Sequence, residues 1–270
     1  MAHSTKIELE SLFNTRDLGG LIGLNNRKIR SNCLIRSGNL SSVSTEDLEK
    51  LYADDNLRTI IDLRNATEAR QSPDKYLEKM EYICLPILDE AQMGMTHEKE
   101  MDAKDSELHF VSSLLGGNKG LDFMTGLYKN FIDNPRCQKM YSQFVRTIIN
   151  SRPGAVLYHC SVGKDRVGVG TFILLSLLGV DTKDIEEDFM LTNDFIEPAV
   201  VNHISNLSKS INDSSLEKTY RDLFTVRKEY IDSVIRDIDS KYGGFLNFAH
   251  AKLELSDEDI TRLQEKYLEK

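Results

Sequence analysis

The most constraining stretch of this 270-residue chain lies between Pro153-Gly154 and Gly179. Ala155-Val156-Leu157-Tyr158-His159-Cys160 is a short apolar run of strand length, and Ser161 to Arg166 follows as a polar loop. From Val167 the spacing of Phe172, Leu175 and Leu178 predicts a buried helix that stops at Gly179. A strand apolar on both faces that feeds a helix through a tight loop belongs in a mainly parallel sheet with helices on either side. The expected fold is therefore α/β, with a short central sheet flanked by helices. Within the loop, Cys160 has an arginine six residues later, Arg166, and none of the other cysteines (Cys33, Cys84, Cys137) has that partner. Chance pairing of Cys and Arg at this spacing, together with His159, Gly163 and Gly168, is on the order of one in ten thousand per chain from average residue usage.

The chemistry of such a loop follows from its place. Between a strand end and a helix N-terminus, successive backbone N–H groups turn into one concavity and the helix dipole adds positive potential there. That concavity suits a phosphate dianion. Arg166 offers a planar fork for two phosphate oxygens, and Gly163 lets the backbone turn without blocking the pocket. A cysteine at a helix N-terminus beside Arg166 and Lys164 favours the thiolate, which makes Cys160 a nucleophile aimed at phosphorus.

Elsewhere the chain alternates strand and helix patterns. Short strands are expected at Leu21 to Leu24 and Arg30 to Ile35, and a helix from the Ser44 cap through Tyr52. Leu57 to Leu63 and Tyr82 to Leu85 read as buried strands. Residues 90–120 lose the pattern and are expected as a surface excursion. Helical periodicity returns over Leu121 to Phe131 and Gln138 to Ile149. Beyond the loop it continues over Ile185 to Leu191, Phe195 to Leu207 and Val226 to Tyr242, with a last helix begun by Ser256-Asp257-Glu258-Asp259. No repeat and no linker divides the chain, so residues 1–270 are read as one domain.

The run His159-Cys160-Ser161-Val162-Gly163-Lys164-Asp165-Arg166 resembles the loop of bacterial cysteine-dependent protein tyrosine phosphatases, H-C-x-x-G-K-D-R. That branch has tyrosine and dual-specificity activity and, in some members, phosphoinositide activity. Asn14-Thr15-Arg16-Asp17-Leu18-Gly19-Gly20, Ile35-Arg36-Ser37-Gly38-Asn39-Leu40, Ile61-Asp62-Leu63-Arg64 with Glu68, and Tyr242-Gly243-Gly244-Phe245-Leu246 with Leu255 to Ile260 are similar to it as well. The likeness covers most of the chain except residues 90–120 and 198–225.

The resemblance implies a tyrosine phosphatase-like fold without a cofactor. It implies that Cys160 forms a phosphocysteine, that Arg166 holds the transition-state oxygens, and that an aspartate protonates the leaving oxygen and then activates water. Asp165 is the favoured acid and Asp62, at a predicted strand end, the alternative. Ser161, Val162, Gly163, Lys164, Asp165 and Arg166 would hold the phosphate, with His159 in support and Lys164 as a second cation for multiply phosphorylated substrates. Where many such loops place Ser or Thr after the arginine, this one has Val167, which predicts slower phosphoenzyme breakdown, with Thr171 as a weak substitute. Helices in 195–242 are expected either as a lid or as a packed subdomain.

The remaining features narrow the alternatives. Lys and Arg number 34 against 43 Asp and Glu, a formal charge of −9, so general attraction to nucleic acid is not expected. No apolar run approaches the roughly 20 residues of a membrane-spanning helix, and the start carries no secretory pattern, so a cytoplasmic address is expected, with leaderless secretion left open. Cys33, Cys84 and Cys137 read as buried thiols, and the histidines lack ligand spacing, so no metal is expected. Arg16, Asp17 and Arg36 read as scaffold charges, and the acidic stretch Asp181 to Asp188 as a solvated helix face. The expected substrate is a phosphorylated protein, with phosphotyrosine leading, and the alternative is a phosphoinositide or an inositol polyphosphate. Outside that class stand a phosphate-binding protein of poor turnover and a thiol redox or sulfur-transfer protein. Oligomeric state is not readable.

Overall fold

The loop's position is set by the strand before it. In the computed structural model, which describes residues 4–89 and 103–270, Ala155–His159 is buried at every position and runs through the middle of a six-stranded sheet. The strands are β1 (Thr5–Lys6), β2 (Arg16–Asp17), β3 (Leu34–Ser37), β4 (Leu57–Asp62), β5 (Glu81–Cys84) and β6 (Ala155–His159), in the spatial order β1-β2-β3-β6-β4-β5. β3, β6, β4 and β5 are parallel, and β1 and β2 extend the β3 edge antiparallel. Ser37 pairs with His159 and His159 with Asp62, so three strands end level with one another under the loop.

Side chains alternate across this sheet as the two-residue period requires. Ala155, Leu157, Ile35 and Ile60 face one apolar cluster with α1 (Thr45–Ala53), which Ser44 caps by accepting from the Asp47 amide. Val156, Tyr158 and Ile61 face a larger cluster built by helices on the other side. α2 (Ala66–Gln71) follows β4. After β5 come α3 (Ala103–Ser113), α4 (Lys119–Asp133) and α5 (Pro135–Asn150), then β6 and α6 (Asp165–Leu177). The chain finishes with α7 (Thr182–Leu207), α8 (Leu216–Phe224), α9 (Lys228–Tyr242), α10 (Phe245–Lys252) and α11 (Asp257–Tyr267).

α6 is buried nearly all round, as a helix at the centre of a core must be. Gly168 allows this closeness, since a side chain there would meet the Phe189 ring of α7 at 2.9 Å. Gly179, at φ +75, ends the turn after α6.

Several expected elements differ. Leu21 to Leu24 is not a strand: Ile22 makes only an isolated bridge to Lys28, and Leu24–Asn26 is a short 3-10 turn with Asn25 at φ 58. The strand expected from Arg30 starts at Leu34, because Asn32 sits at φ 54 and breaks extension. β5 is an edge strand with exposed ends rather than a buried one. Of the expected excursion, residues 90–102 lie outside the described residues, while Ala103–Ser113 is a helix with Val111 fully buried. The two helices expected in 185–207 are one, with Pro198 inside it, and α8 lies within the helical region expected over 195–242, though its bounds were not marked. Tyr230, Ile231 and Val234 of α9 are buried against the core, with Tyr230 stacked on Tyr128 of α4 at 5.3 Å.

Candidate active site

The chain turns from β6 into α6 through Cys160 to Lys164, and Gly163 takes the left-handed conformation (φ +73) this turn needs. A side chain at Gly163 would collide with the Ser37 carbonyl at the end of β3. The loop's carbonyls are drawn away from its hollow. The Ser161 oxygen accepts from the Asn39 amide (3.2 Å) and Asn39 Nδ2 (2.8 Å). Asn14 Nδ2 donates to Val162 and Gly163 oxygens at 3.0 Å each, and Arg36 Nη2 donates to Gly163 O at 2.9 Å. Among the described residues the amides of Ser161 to Lys164 find no acceptor, so their N–H groups stay available to a ligand.

Behind the loop sits a fully buried charge cluster. Arg16 Nε donates to Asp188 Oδ1 at 2.9 Å and Arg36 Nη1 to Asp188 Oδ2 at 2.5 Å, with side-chain exposure of 0% for both arginines and 1% for Asp188. Arg16 also reaches Thr192 Oγ1 at 3.1 Å and the Asn14 side chain, and Ser4 donates to Asp188 at 2.7 Å. Burial and the neighbouring Arg36 charge lower the Arg16 pKa to about 10. Burial alone would raise the Asp188 carboxyl, but the two guanidiniums outweigh it and hold it well below the ordinary range. Arg16 and Arg36 thus anchor the loop, as read. The solvated face expected for Asp181 to Asp188 is wrong at its last residue: Asp188 lies on the inward stripe of α7 with Ile185, Phe189 and Thr192.

In front of the loop a second carboxylate meets the loop's arginine. Glu68 Oε2 accepts from Arg166 Nη1 at 2.6 Å and Oε1 from Nη2 at 2.7 Å, a two-point fork, while the Ser161 hydroxyl donates to Oε1 at 2.7 Å. α2 fixes Glu68 because Asn65 and Glu68 form a reciprocal capping box. Burial pushes the Glu68 carboxyl up, but Arg166, Ser161 and the Asn65 amide pull it further down, to a net position below its usual range. Burial likewise opposes the Arg166 charge, and Glu68 and Cys160 more than offset it. Arg166 side-chain exposure is 7% and Glu68 17%, so this pair touches solvent.

Two tyrosines support the first turn of α6. Tyr128 of α4 donates to Asp165 Oδ1 at 2.8 Å, and Tyr141 of α5 donates to the Arg166 carbonyl at 2.9 Å. Asp165 keeps a quarter of its side chain exposed. Lys164 is turned inward: its ammonium donates to Leu223 O (2.6 Å) and Thr225 O (3.4 Å) at the end of α8 and lies 3.4 Å from Asp165 Oδ1. Cys160 is 3% exposed, at the base of the hollow.

Asp62 stands elsewhere in character. Both its oxygens accept from Arg64, at 2.9 to 3.1 Å, and Tyr82 donates to its Oδ2 at 2.7 Å. Asp74 shares Arg64 and Tyr82 and lies 3.2 Å from His159 Nε2, off the line a hydrogen bond needs. His159 Nδ1 is 3.2 Å from the Cys160 carbonyl, so the histidine braces the loop from beneath. Asp62, Asp74 and His159 are close enough to hold a metal ion, but the Arg64 fork already fills the space between the carboxylates. Val167 is fully buried, and Thr171 bonds the Tyr158 hydroxyl at 2.9 Å, which engages the hydroxyl expected as a substitute.

Residues 7–269 match the model of the tyrosine phosphatase family. The chain belongs to that family. A Cupriavidus necator protein named as a candidate tyrosine-protein phosphatase is 28% identical over 97% of this chain and 88% of its own length. A tyrosine-protein phosphatase of Nostoc commune is 27% identical over 63% of this chain and 51% of its own length. The triple specificity protein phosphatase PtpB of Mycobacterium tuberculosis is 26% identical over 87% and 90% respectively. The enzyme class expected from the loop, a tyrosine-protein phosphatase, is the one that family carries.

The phosphatase structure brings Cys160, Ser161, Val162, Gly163, Lys164, Asp165 and Arg166 into one turn and leaves Asp62 in a separate buried network. Residues the sequence reading did not place in the site are Glu68, Asp188, Tyr128 and Tyr141. Asp89, on the loop after β5 and 43% exposed, is another carboxylate beyond a parallel strand's end that escaped it. Cys84 is exposed and Cys33 half-buried, against the expectation of buried thiols, while Cys137 is buried. No helix among the described residues is long and apolar enough to cross a membrane.

Proposed function

We propose that this phosphatase hydrolyses phosphomonoesters without a metal, through a phosphocysteine on Cys160, with phosphotyrosine as the leading substrate and phosphoserine or phosphothreonine as weaker ones. The observation that carries the reading is the loop itself. Its carbonyls are tied back by Asn14, Arg36 and Asn39, its amides are left over, and Arg166 stands at the mouth. A dianion seated there meets the backbone donors and displaces or shares the Arg166 fork with Glu68.

Cys160 sulfur then attacks phosphorus as the bond to the leaving oxygen breaks, and that oxygen takes a proton from Asp165. In the second step Asp165 takes a proton from water, which attacks phosphorus and returns the Cys160 thiolate. Arg166 and the amides meet the charge on the equatorial oxygens in both steps. Asp165 suits the acid role better than Asp62, because its Oδ2 accepts from no described residue whereas both oxygens of Asp62 are taken.

The phosphoinositide alternative drew on the resemblance and on Lys164, with any cationic rim, as a second cation. With its ammonium engaged by α8 and Asp165, a second phosphate would need another partner, and this favours monophosphates.

The test is turnover of p-nitrophenyl phosphate in EDTA by wild type, Cys160→Ser and Arg166→Ala, with and without vanadate. A phosphotyrosine peptide, a phosphoserine peptide and phosphoinositides serve as the substrate panel. EDTA-resistant, vanadate-sensitive turnover lost in both variants is expected. Turnover retained in Cys160→Ser, or abolished by EDTA, would overturn the mechanism.

A further inference from the structure

We infer that Tyr128 is a positioning residue of this phosphatase, acting through Asp165; the inference rests on the acid role proposed above. Tyr128 is completely buried, and among the described residues its hydroxyl has one partner, Asp165 Oδ1 at 2.8 Å. The ring cannot swing away from that bond. It stacks on Tyr230 at 5.3 Å and meets Phe131 and Phe189 edge-on, both at 5.8 Å. Burial and the neighbouring Asp165 hold the phenol well above its ordinary range, so it keeps its proton and remains a donor.

One carboxylate oxygen of Asp165 is thereby fixed by a rigid group on another helix, with the Lys164 ammonium 3.4 Å from the same atom. Oδ2 is the oxygen left to carry the proton, and its direction is set by the grip on Oδ1. Tyr128 therefore orients the acid without losing or gaining a proton in either step. Tyr141 provides the natural contrast. It is equally buried and also reaches the first turn of α6, but it grips a backbone carbonyl, that of Arg166, and so supports the loop as a whole.

The two roles differ in how they depend on the leaving group. A general acid matters most for a poor leaving group and contributes about 10²–10⁴ there. For Tyr128→Phe we expect kcat/KM on phenyl phosphate, which reads the first phosphoryl transfer whichever step limits kcat, to fall about tenfold, a part of that range, with a clearly smaller fall on p-nitrophenyl phosphate. Tyr141→Phe should slow both substrates by the same factor. In an Asp165→Asn background Tyr128→Phe should cause no further leaving-group-dependent loss, because the group it acts through is gone. Tyr128→Phe keeps the ring and its packing, and Tyr128→Leu supplies the same test with a second side chain that lacks the donor.

If Asp165→Asn shows the leaving-group-dependent loss and neither Tyr128 variant does, or if the two losses multiply in the double variant, the inference is overturned while the acid assignment stands. If Asp165→Asn lowers kcat/KM for both substrates by the same factor, the acid assignment has failed and the inference fails with it.

Discussion

The loop from Cys160 to Arg166 is held between two ion-pair systems built from the same chemistry and put to different ends. Behind it, Arg16 and Arg36 close on Asp188 with at most 1% of any side chain exposed. In front, Arg166 closes on Glu68 with 7% and 17% exposed. The rear system is sealed from solvent, and its hydrogen bonds lead into the loop's backbone through Asn14 and Gly163. The front system is a guanidinium fork with a carboxylate occupying the two-oxygen geometry a phosphate would use. Full burial turns a salt bridge into scaffold, and partial burial leaves it exchangeable.

The largest effect that can break this comparison is on stability. Removing the charge at Asp188 strands two buried arginines, and Asp188→Asn should cost about 3–5 kcal/mol, read as a lowered urea midpoint at unchanged slope. A cost below about 1 kcal/mol would remove the distinction between the two systems. The pH dependence has a defined sign. The Asp188 carboxyl is held below its unfolded value, so its contribution is complete above about pH 4 and fades as pH falls further. Acid unfolding of wild type should show this loss, and Asp188→Asn should lack it.

Gly163→Ala attacks the point where the two systems meet. It forces a β-carbon against the Ser37 carbonyl at a positive φ and should cost about 1–3 kcal/mol. It should also weaken vanadate binding, because the amides no longer converge.

Glu68→Gln should do the reverse of Asp188→Asn. We expect a stability loss of only about 1 kcal/mol, since the pair reaches solvent. In contrast kcat/KM should fall about tenfold as Arg166 loses its alignment. A large stability loss with unchanged kinetics would make Glu68 scaffold as well.

These two systems also mark how far the sequence can be read. Cys160, Arg166 and Gly163 were legible because a strand, a tight loop and a helix follow in uninterrupted order, and local spacing is enough to define their hollow. Glu68 carried a signal of its own, the Asn65-x-x-Glu68 capping box, but nothing local says that the same carboxylate reaches residue 166. Asp188 was hidden among Asp184, Glu186 and Glu187. Its mark is that it falls on the stripe of Ile185, Phe189, Thr192 and Ile196, where a charge needs a buried partner. Lys164 was misjudged in direction, because the helix end that takes its ammonium lies about 60 residues downstream and no local spacing ties the two together.

The smallest expected effect concerns Val167. It is buried, and Thr171 is bonded to Tyr158, so no hydroxyl from either residue reaches Cys160. Val167→Thr should raise turnover by about two- to fivefold if phosphoenzyme breakdown limits it, within the range of one added hydrogen bond. Unchanged turnover would show that breakdown is not limiting.

In the proposed mechanism the hollow between these two charge systems makes and breaks a bond between phosphorus and Cys160. The direct test is rapid quenching of wild type during turnover of a phosphotyrosine peptide, followed by mass analysis of the peptide containing residue 160. A phosphoryl group is expected on Cys160 in wild type and none in Cys160→Ser. Turnover with no phosphoryl group on Cys160 at any quench time, and with activity retained in Cys160→Ser, would contradict it.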